Sequence, residues 1–269
     1  MIDYIKLLDS DQVKKCRDLV ENLKEYYTGF PETYFLSTLG AATYQHCEEI
    51  DGEYIRDEYL KIKKDMNPLL RKHFNWLYDL LIKKIEDLIQ EKCTISDESD
   101  LAFPGFHILY AHENSEKITE AIHLDLQWKF HIEELDKIFK NVERNNFLTY
   151  TLCVKLPPGG GGLYYWPLKD ENKKYTYDEA DEEYSQLKDI SEDIAPFNTD
   201  DSFLGCEKSF YEKMTNPKII KYQEGYMTFF RKPVIHQVMP FNPPFSVGDT
   251  RITLQGHGIK CDGIWRLYF

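Results

Sequence analysis

The chain has 269 residues, with 33 Lys and Arg against 46 Asp and Glu (formal net charge −13) and 42% hydrophobic residues. A chain of this length buries roughly three quarters of its unfolded surface and needs no covalent staples. Its acidity excludes a sequence-independent hold on nucleic acid or on an anionic membrane surface, both of which need a positive field. Six cysteines, at 16, 47, 93, 153, 206 and 261, show neither C-x-x-C nor zinc-like spacing, so reduced thiols in a cytoplasmic protein are expected. The opening "MIDYIKLLDSDQV" has neither the basic start nor the apolar run of a secretory leader. No stretch approaches the ~20 apolar residues of a membrane span.

Residues 1 to about 95 read as a helical region packed on the rest of the chain. In "DQVKKCRDLVENLKEYY" the residues Val13, Cys16, Leu19, Val20 and Leu23 recur at three- and four-residue spacing, with Asp11 as a candidate cap. "NPLLRKHFNWLYDLLIKKIEDLIQEK" repeats the pattern through Leu77, Leu80, Leu81, Ile85, Leu88 and Ile89, with Asn67 and Pro68 as a start signal.

From about residue 96 to 269 the pattern changes to short β-branched and aromatic runs separated by Gly, Pro, Asn and Asp. These are "AFPGFHILYAH", "AIHLDLQW", "FLTYTLCVKLP", "GGLYYWPL", "PKIIKYQEGYMTFFRKP", "IHQVMPF" and "DTRITLQGHGI". Successive strands without intervening helices predict a sandwich or barrel, and hence an α+β chain. Gly159 to Gly162, after Pro157 and Pro158, read as a tight hairpin turn; no Lys-Ser/Thr comes after them to make a phosphate loop. Residues 169 to about 216 are acidic and poor in aliphatics, an insertion in the strand series that is expected either as a solvated loop or as a lid over a site.

Chemistry enters at "AIHLDLQW". On a strand, His123 and Asp125 project to one face and offer an imidazole and a carboxylate side by side, with Gln127 next along the same row. A second imidazole from elsewhere would complete a set of two histidines and one carboxylate, which leaves coordination positions open for cosubstrate and O2. His-x-Asp alone is a common chance pairing. His236, behind the turn at Lys232-Pro233, has no helical or capping role. Fifteen residues further on, Arg251 and Thr253 share a face of a strand otherwise filled by Ile252, Leu254 and Ile259. An arginine among core residues is costly to bury unless it meets an anion, and its planar fork suits a carboxylate.

The order His-x-Asp, about a hundred residues, His, then Arg-x-Thr resembles the Fe(II)/2-oxoglutarate-dependent dioxygenases, over roughly residues 101–267. The glycine hairpin in "FLTYTLCVKLPPGGGGLYYW" and the run "GYMTFF" before His236 are similar to the prolyl-hydroxylase-like branch of that superfamily. The resemblance implies a double-stranded β-helix (jelly-roll, cupin-like) core. It implies His123, Asp125 and His236 as ligands to Fe(II), and Arg251 with Thr253 on the far carboxylate of 2-oxoglutarate. Thr151 is expected on the same cosubstrate, and Gln127 as a residue that orients a ligand or substrate. With O2 as second cosubstrate, the implied reaction is oxidation of an unactivated C–H bond, ending in hydroxylation, desaturation or ring closure. Asp125 stands where related halogenases carry a small residue, so halogenation is not expected.

A small amino-acid-like or specialised metabolite is the favoured substrate. A peptidyl hydroxylase of the same class and a non-catalytic β-sandwich binding module are the alternatives. Among the remaining candidates, His107 is expected in the core or behind the ligands, His46, His112 and His131 at the surface, and His257 at a turn. Tyr164, Tyr165 and Trp166 are expected to serve packing, with one of the three free to face the site.

Overall fold

The computed structural model describes residues 2–29, 36–50, 53–113, 123–125, 127–166, 179, 217–232 and 234–269, without the side chains of Glu49 and Gln127. The acidic segment 169–216 and Pro233 therefore lie outside the described residues, Glu179 apart. So does any test of the segment as a lid.

Among the described residues nine strands form one sheet. Its spatial order is β1 (Ile2–Lys6), β11 (Tyr226–Phe230), β8 (Val142–Lys155), β13 (Thr250–Cys261), β7 (Gly105–Tyr110), β3 (Leu36–Leu39) and β2 (Thr28–Gly29). The long β13 organises it. Its first half pairs with β7 and its second half with β14 (Ile264–Tyr268), while β8 runs antiparallel along its other side. β6 (Cys93–Thr94) joins β14 in parallel. A second, three-stranded antiparallel sheet is ordered β10 (Lys218–Lys221), β9 (Gly162–Trp166), β12 (Ile235–Val238). It lies over the large sheet, with Leu163 of β9 and Val238 of β12 in one apolar cluster with Cys153 of β8. A separate hairpin pairs β4 (Glu48–Ile50) with β5 (Glu53–Ile55).

The strands alternate as half-buried strands must. Phe106 and Ile108, Tyr150 and Leu152, Met227 and Phe229, Ile252 and Leu254 all enter the largest apolar cluster. Helices α1 (Ser10–Asn22) and α3 (Asp57–Ile89) cover that face, α1 with Val13, Cys16 and Val20, and α3 with a stripe running from Met66 through Phe74 and Leu81 to Ile89. The short α2 (Thr43–His46) and α4 (Ile132–Ile138) lie outside this layer in sequence and pack elsewhere.

Three local expectations change. The region up to residue 95 is not purely helical: β1 pairs with β11 at one edge of the large sheet, and β3 pairs with β7 towards the other. Runs such as "IDYIK" and "LSTL" are too short to show helical period but long enough to pair along an open edge. Helix α1 is capped by Asp9, not Asp11. The Asp9 carboxylate accepts from the Gln12 N–H at 2.9 Å, and the Gln12 side chain accepts from the Asp9 N–H at 3.0 Å. Helix α3 runs straight through Asn67-Pro68 rather than starting there. Pro68 removes a backbone donor and disfavours the interior of a helix by about 3 kcal/mol, but the buried stripe on both sides of it outweighs that. Asn67 is used sideways, accepting from the Phe103 N–H at 3.0 Å and donating to Asp97 at 3.2 Å.

No helix of the described residues is long and apolar enough to cross a membrane.

Candidate metal centre and its cavity

His123 lies beside β12 as an isolated antiparallel bridge. Its N–H donates to the His236 carbonyl and its carbonyl accepts from the His236 N–H, both at 3.0 Å. The pairing sets the two imidazoles side by side, ring centroids 4.3 Å apart. Two residues on, Asp125 enters the same space, with Oδ1 3.8 Å from His123 Nε2 and Oδ2 3.8 Å from His236 Nε2. One ligand atom from each of the three lies within 4.8 Å of the others. Asp125 and His236 are buried and His123 is part-exposed, so the cluster opens on one side. The strand expected over "AIHLDLQW" ends early: Gln127–Phe130 form a 3-10 turn, so Gln127 does not continue the row, and its side chain lies outside the described residues.

The protonation pattern suits a cation. The His236 Nδ1–H donates to the Val234 carbonyl at 2.8 Å, which leaves Nε2 with its lone pair facing the cluster. Burial pushes His236 down to about 4, so its imidazole is neutral at physiological pH. Burial alone would favour the neutral acid of Asp125, but His236, His257 and His123, with the Thr149 hydroxyl, outweigh it and hold the carboxyl well below the usual carboxylate range. Two imidazoles and one carboxylate are a donor set that fits a divalent transition metal of the Fe(II) class.

The cluster borders a cavity of roughly 460 Å3, counted with its open mouth, between the two sheets. His123 and His236 form one wall; Thr151, Arg251, Thr253 and Gln255 rise from β8 and β13; Leu163, Tyr222, Phe230 and Val238 supply apolar surface. Arg251 is only 2% exposed. Its Nη1 donates to the Met239 carbonyl at 2.8 Å, and its guanidinium stands over the Phe241 ring. Gly161 makes room for it, since a Cβ there would come within 2.9 Å of Nη1. Gly159 meets the Asn242 carbonyl in the same way, at 1.5 Å from a Cβ. The glycine run is thus a hairpin pressed against both the arginine and the chain after Met239.

The structure therefore brings His123, Asp125, His236, Arg251, Thr253 and Thr151 around one space. Other sequence readings need correction. His257 is not at a turn; it sits within β13, buried, its Nδ1 3.2 Å from Thr149 Oγ1. The Thr149 hydroxyl in turn donates to Asp125 Oδ2 at 2.9 Å. On the threonine face of β8, Thr149 touches the cluster, a contact the sequence did not indicate, while Thr151 lines the cavity. His131 is 1% exposed rather than at the surface. The Thr43 hydroxyl donates to the Phe269 carbonyl at 2.9 Å, so at the same distance it accepts from His131 Nε2–H. Tyr59 and Tyr268 flank the ring, and burial pushes His131 down to about 3. His46 is likewise buried, its Nδ1 bonded to the Ala42 carbonyl. His112 is half-buried. His107 lines the cavity and is bonded through Nε2 to the Tyr44 hydroxyl, a partner that nothing in the sequence pattern indicates. Of the aromatic trio, Trp166 is buried, and Tyr165 pairs with His236, so those two residues share a face of the small sheet.

No family model matches this chain, and neither does any curated protein. Solved structures do. An N-substituted L-amino acid dioxygenase from Burkholderia ambifaria, in complex with α-ketoglutarate (2-oxoglutarate), is similar over 100% of this chain and 86% of its own, at 15% identity and a TM-score of 0.53. The chain has the fold of a 2-oxoglutarate-dependent dioxygenase. Two more distant structures with that cosubstrate in their names also align. The non-haem epimerase SnoN of nogalamycin biosynthesis covers 95% of this chain and 76% of its own, with 11% identity and a TM-score of 0.46. HygX from Streptomyces hygroscopicus, with nickel and 2-oxoglutarate bound, covers 95% and 81%, with 11% identity and a TM-score of 0.45. Within this dioxygenase fold, the mixed helix-and-sheet architecture expected from the sequence is present, built on a large antiparallel sheet.

Proposed function

We propose that this chain is an Fe(II)- and 2-oxoglutarate-dependent oxygenase that oxidises a C–H bond of a small, amino-acid-like metabolite. The observation that carries the reading is the convergence of His123, Asp125 and His236 with buried Arg251 around one cavity. On this reading the two sheets are the halves of a double-stranded β-helix core that comes mainly from about residue 96 to 269, with β1, β2, β3 and β6 extending the large sheet and the helices of the first 95 residues covering its apolar face.

His123, Asp125 and His236 would hold the iron. When bound, the metal supplies O2 activation coupled to oxidative decarboxylation of 2-oxoglutarate, giving succinate, CO2 and an oxidised substrate. The protein's own residues do the rest. The Val234 carbonyl keeps the His236 proton on Nδ1, away from the ligand site. Arg251 receives the distal carboxylate of the cosubstrate through its planar fork, with Thr253 and Thr151 as hydroxyl partners beside it. Leu163, Phe230 and Val238 keep water from the reacting end of the cavity.

A small substrate is supported by the modest size of the cavity and by the Burkholderia enzyme, whose name gives N-substituted L-amino acids as its substrates. A cytoplasmic setting fits the five described cysteines, all free and buried.

The test is succinate release from 2-oxoglutarate under air with Fe(II), across N-substituted amino acids, free amino acids and short peptides. Stimulation by an amino-acid derivative, abolished by His236→Ala, is expected. Stimulation by peptides alone would move the reading to a peptidyl hydroxylase. Succinate release that His236→Ala leaves unchanged would contradict the metal site.

A further inference from the structure

The metal-site reading leaves two buried residues next to the cluster without a role. Thr149 and His257 are 2% and 4% exposed, and they come from adjacent strands in register, His257 opposite Thr149. A threonine hydroxyl has one proton to give. Here it goes to Asp125 Oδ2, 2.9 Å away. Thr149 Oγ1 can then only accept from His257 Nδ1, at 3.2 Å, so His257 carries its proton on Nδ1. The Tyr268 ring packs against that imidazole and limits its rotation.

We propose that Thr149 and His257 are positioning residues, a two-step donor chain from His257 Nδ1–H through Thr149 Oγ1–H to Asp125 Oδ2 that fixes the rotation of the carboxylate for a divalent cation. A carboxylate at the end of two rotatable bonds can turn its oxygens away from the neighbouring imidazoles. One directed hydrogen bond removes that freedom, and a second holds the donor itself in place. Neither residue is among the described residues that line the cavity; both act through Asp125. The inference rests on the metal-site reading above, and it extends the ligand set to a strand pair that no residue spacing marks.

The experiment is anaerobic titration of the whole apo-protein with Co(II), by calorimetry and by its visible d–d spectrum, alongside the melting temperature of each apo-protein. Thr149→Val keeps the shape and removes the hydroxyl; Thr149→Ser restores it. His257→Phe removes the donor, whereas His257→Asn keeps an N–H near the place of Nδ1. Partners that orient metal ligands typically carry a 10- to 100-fold effect on affinity, so Thr149→Val is expected to weaken Co(II) binding by about that factor and to alter the d–d band. Thr149→Ser is expected within about threefold of the unaltered chain, and His257→Phe about tenfold weaker with His257→Asn between. A purely structural role would lower the apo melting temperature and leave affinity and spectrum alone, which overturns the proposal. So does Thr149→Ser binding no better than Thr149→Val. If the unaltered chain binds no Co(II), the metal-site reading and this proposal fail together. If it binds and the variants bind equally well, this proposal alone fails.

Discussion

Neighbouring residues along β8 and β13 live in opposite surroundings. Tyr150, Leu152, Ile252 and Leu254 point to the helices and sit in the largest apolar cluster, all of them 0 or 1% exposed. Thr149, Thr151, Arg251, Thr253 and His257 point the other way, to the small sheet, the cavity and the Asp125 carboxylate. One face holds the sheet to its helices by removing hydrocarbon from water. The other accepts the cost of burying a guanidinium, a carboxylate and several imidazoles, and offsets it with directed hydrogen bonds. A slip of one residue in either strand would exchange the two sets. The apolar face therefore fixes the register on which the polar face depends, and substitutions on the two faces are expected to fail in different ways.

The largest separation is expected at the cluster itself. Asp125→Ala removes a ligand and a buried charge, so Co(II) binding falls below detection while the apo-protein melts within a few degrees of the unaltered chain. Retained binding would break the division of labour between the faces. Next comes Arg251→Gln. Removing one partner of a buried charge pair carries about 3–5 kcal/mol, which predicts 2-oxoglutarate binding weaker by about 100-fold or more, at unchanged metal affinity, in calorimetry of the metal-loaded protein. On the apolar face, Leu254→Ala is expected to lower unfolding stability by about 2–5 kcal/mol in denaturant titration, yet to leave the Co(II) affinity of the folded fraction alone.

The last effect appears only in acid. Burial holds His131 down to about 3, whereas an unfolded chain takes up that proton near 6.5. Its contribution is fully present above pH 6.5 and is lost progressively as the pH falls from there to about 3, because only the unfolded state binds the proton in that window. His131→Gln keeps a donor for Thr43 and cannot titrate, so the slope of stability against pH in that window should flatten. An unchanged slope would mean that His131 takes up its proton in the fold.

Much of this division was legible in the sequence, because strands announce their period. Of the runs from "AFPGFHILYAH" to "DTRITLQGHGI", all but "AIHLDLQW", where His123 makes an isolated bridge, fall on β7 to β13, and His123, Asp125, His236 and Arg251 meet although about a hundred residues separate the first pair from the third. The parts that were not legible depend on contacts between strands. Thr149, Thr151 and Cys153 look alike on paper, and only the pairing of β8 with β13 and the path to Asp125 selects Thr149. His131 comes after a charged "WKF" and precedes "IEEL", so it reads as exposed; its partners Thr43 and Tyr268 are 88 and 137 residues away in the chain. His257, between two glycines, reads as a turn until β13 is seen to run unbroken through it. Pro68 marks a helix start by local preference, and the buried stripe on both sides of it overrides that preference.

The most direct measurement is anaerobic visible spectroscopy of the apo-protein titrated first with Fe(II) and then with 2-oxoglutarate. A weak charge-transfer band that appears only when both are present, and that Arg251→Gln shifts to higher cosubstrate concentration, is the predicted result. No band together with no Fe(II) binding by calorimetry would contradict the account, and His123 and Asp125 would then be polar residues of a binding module rather than ligands.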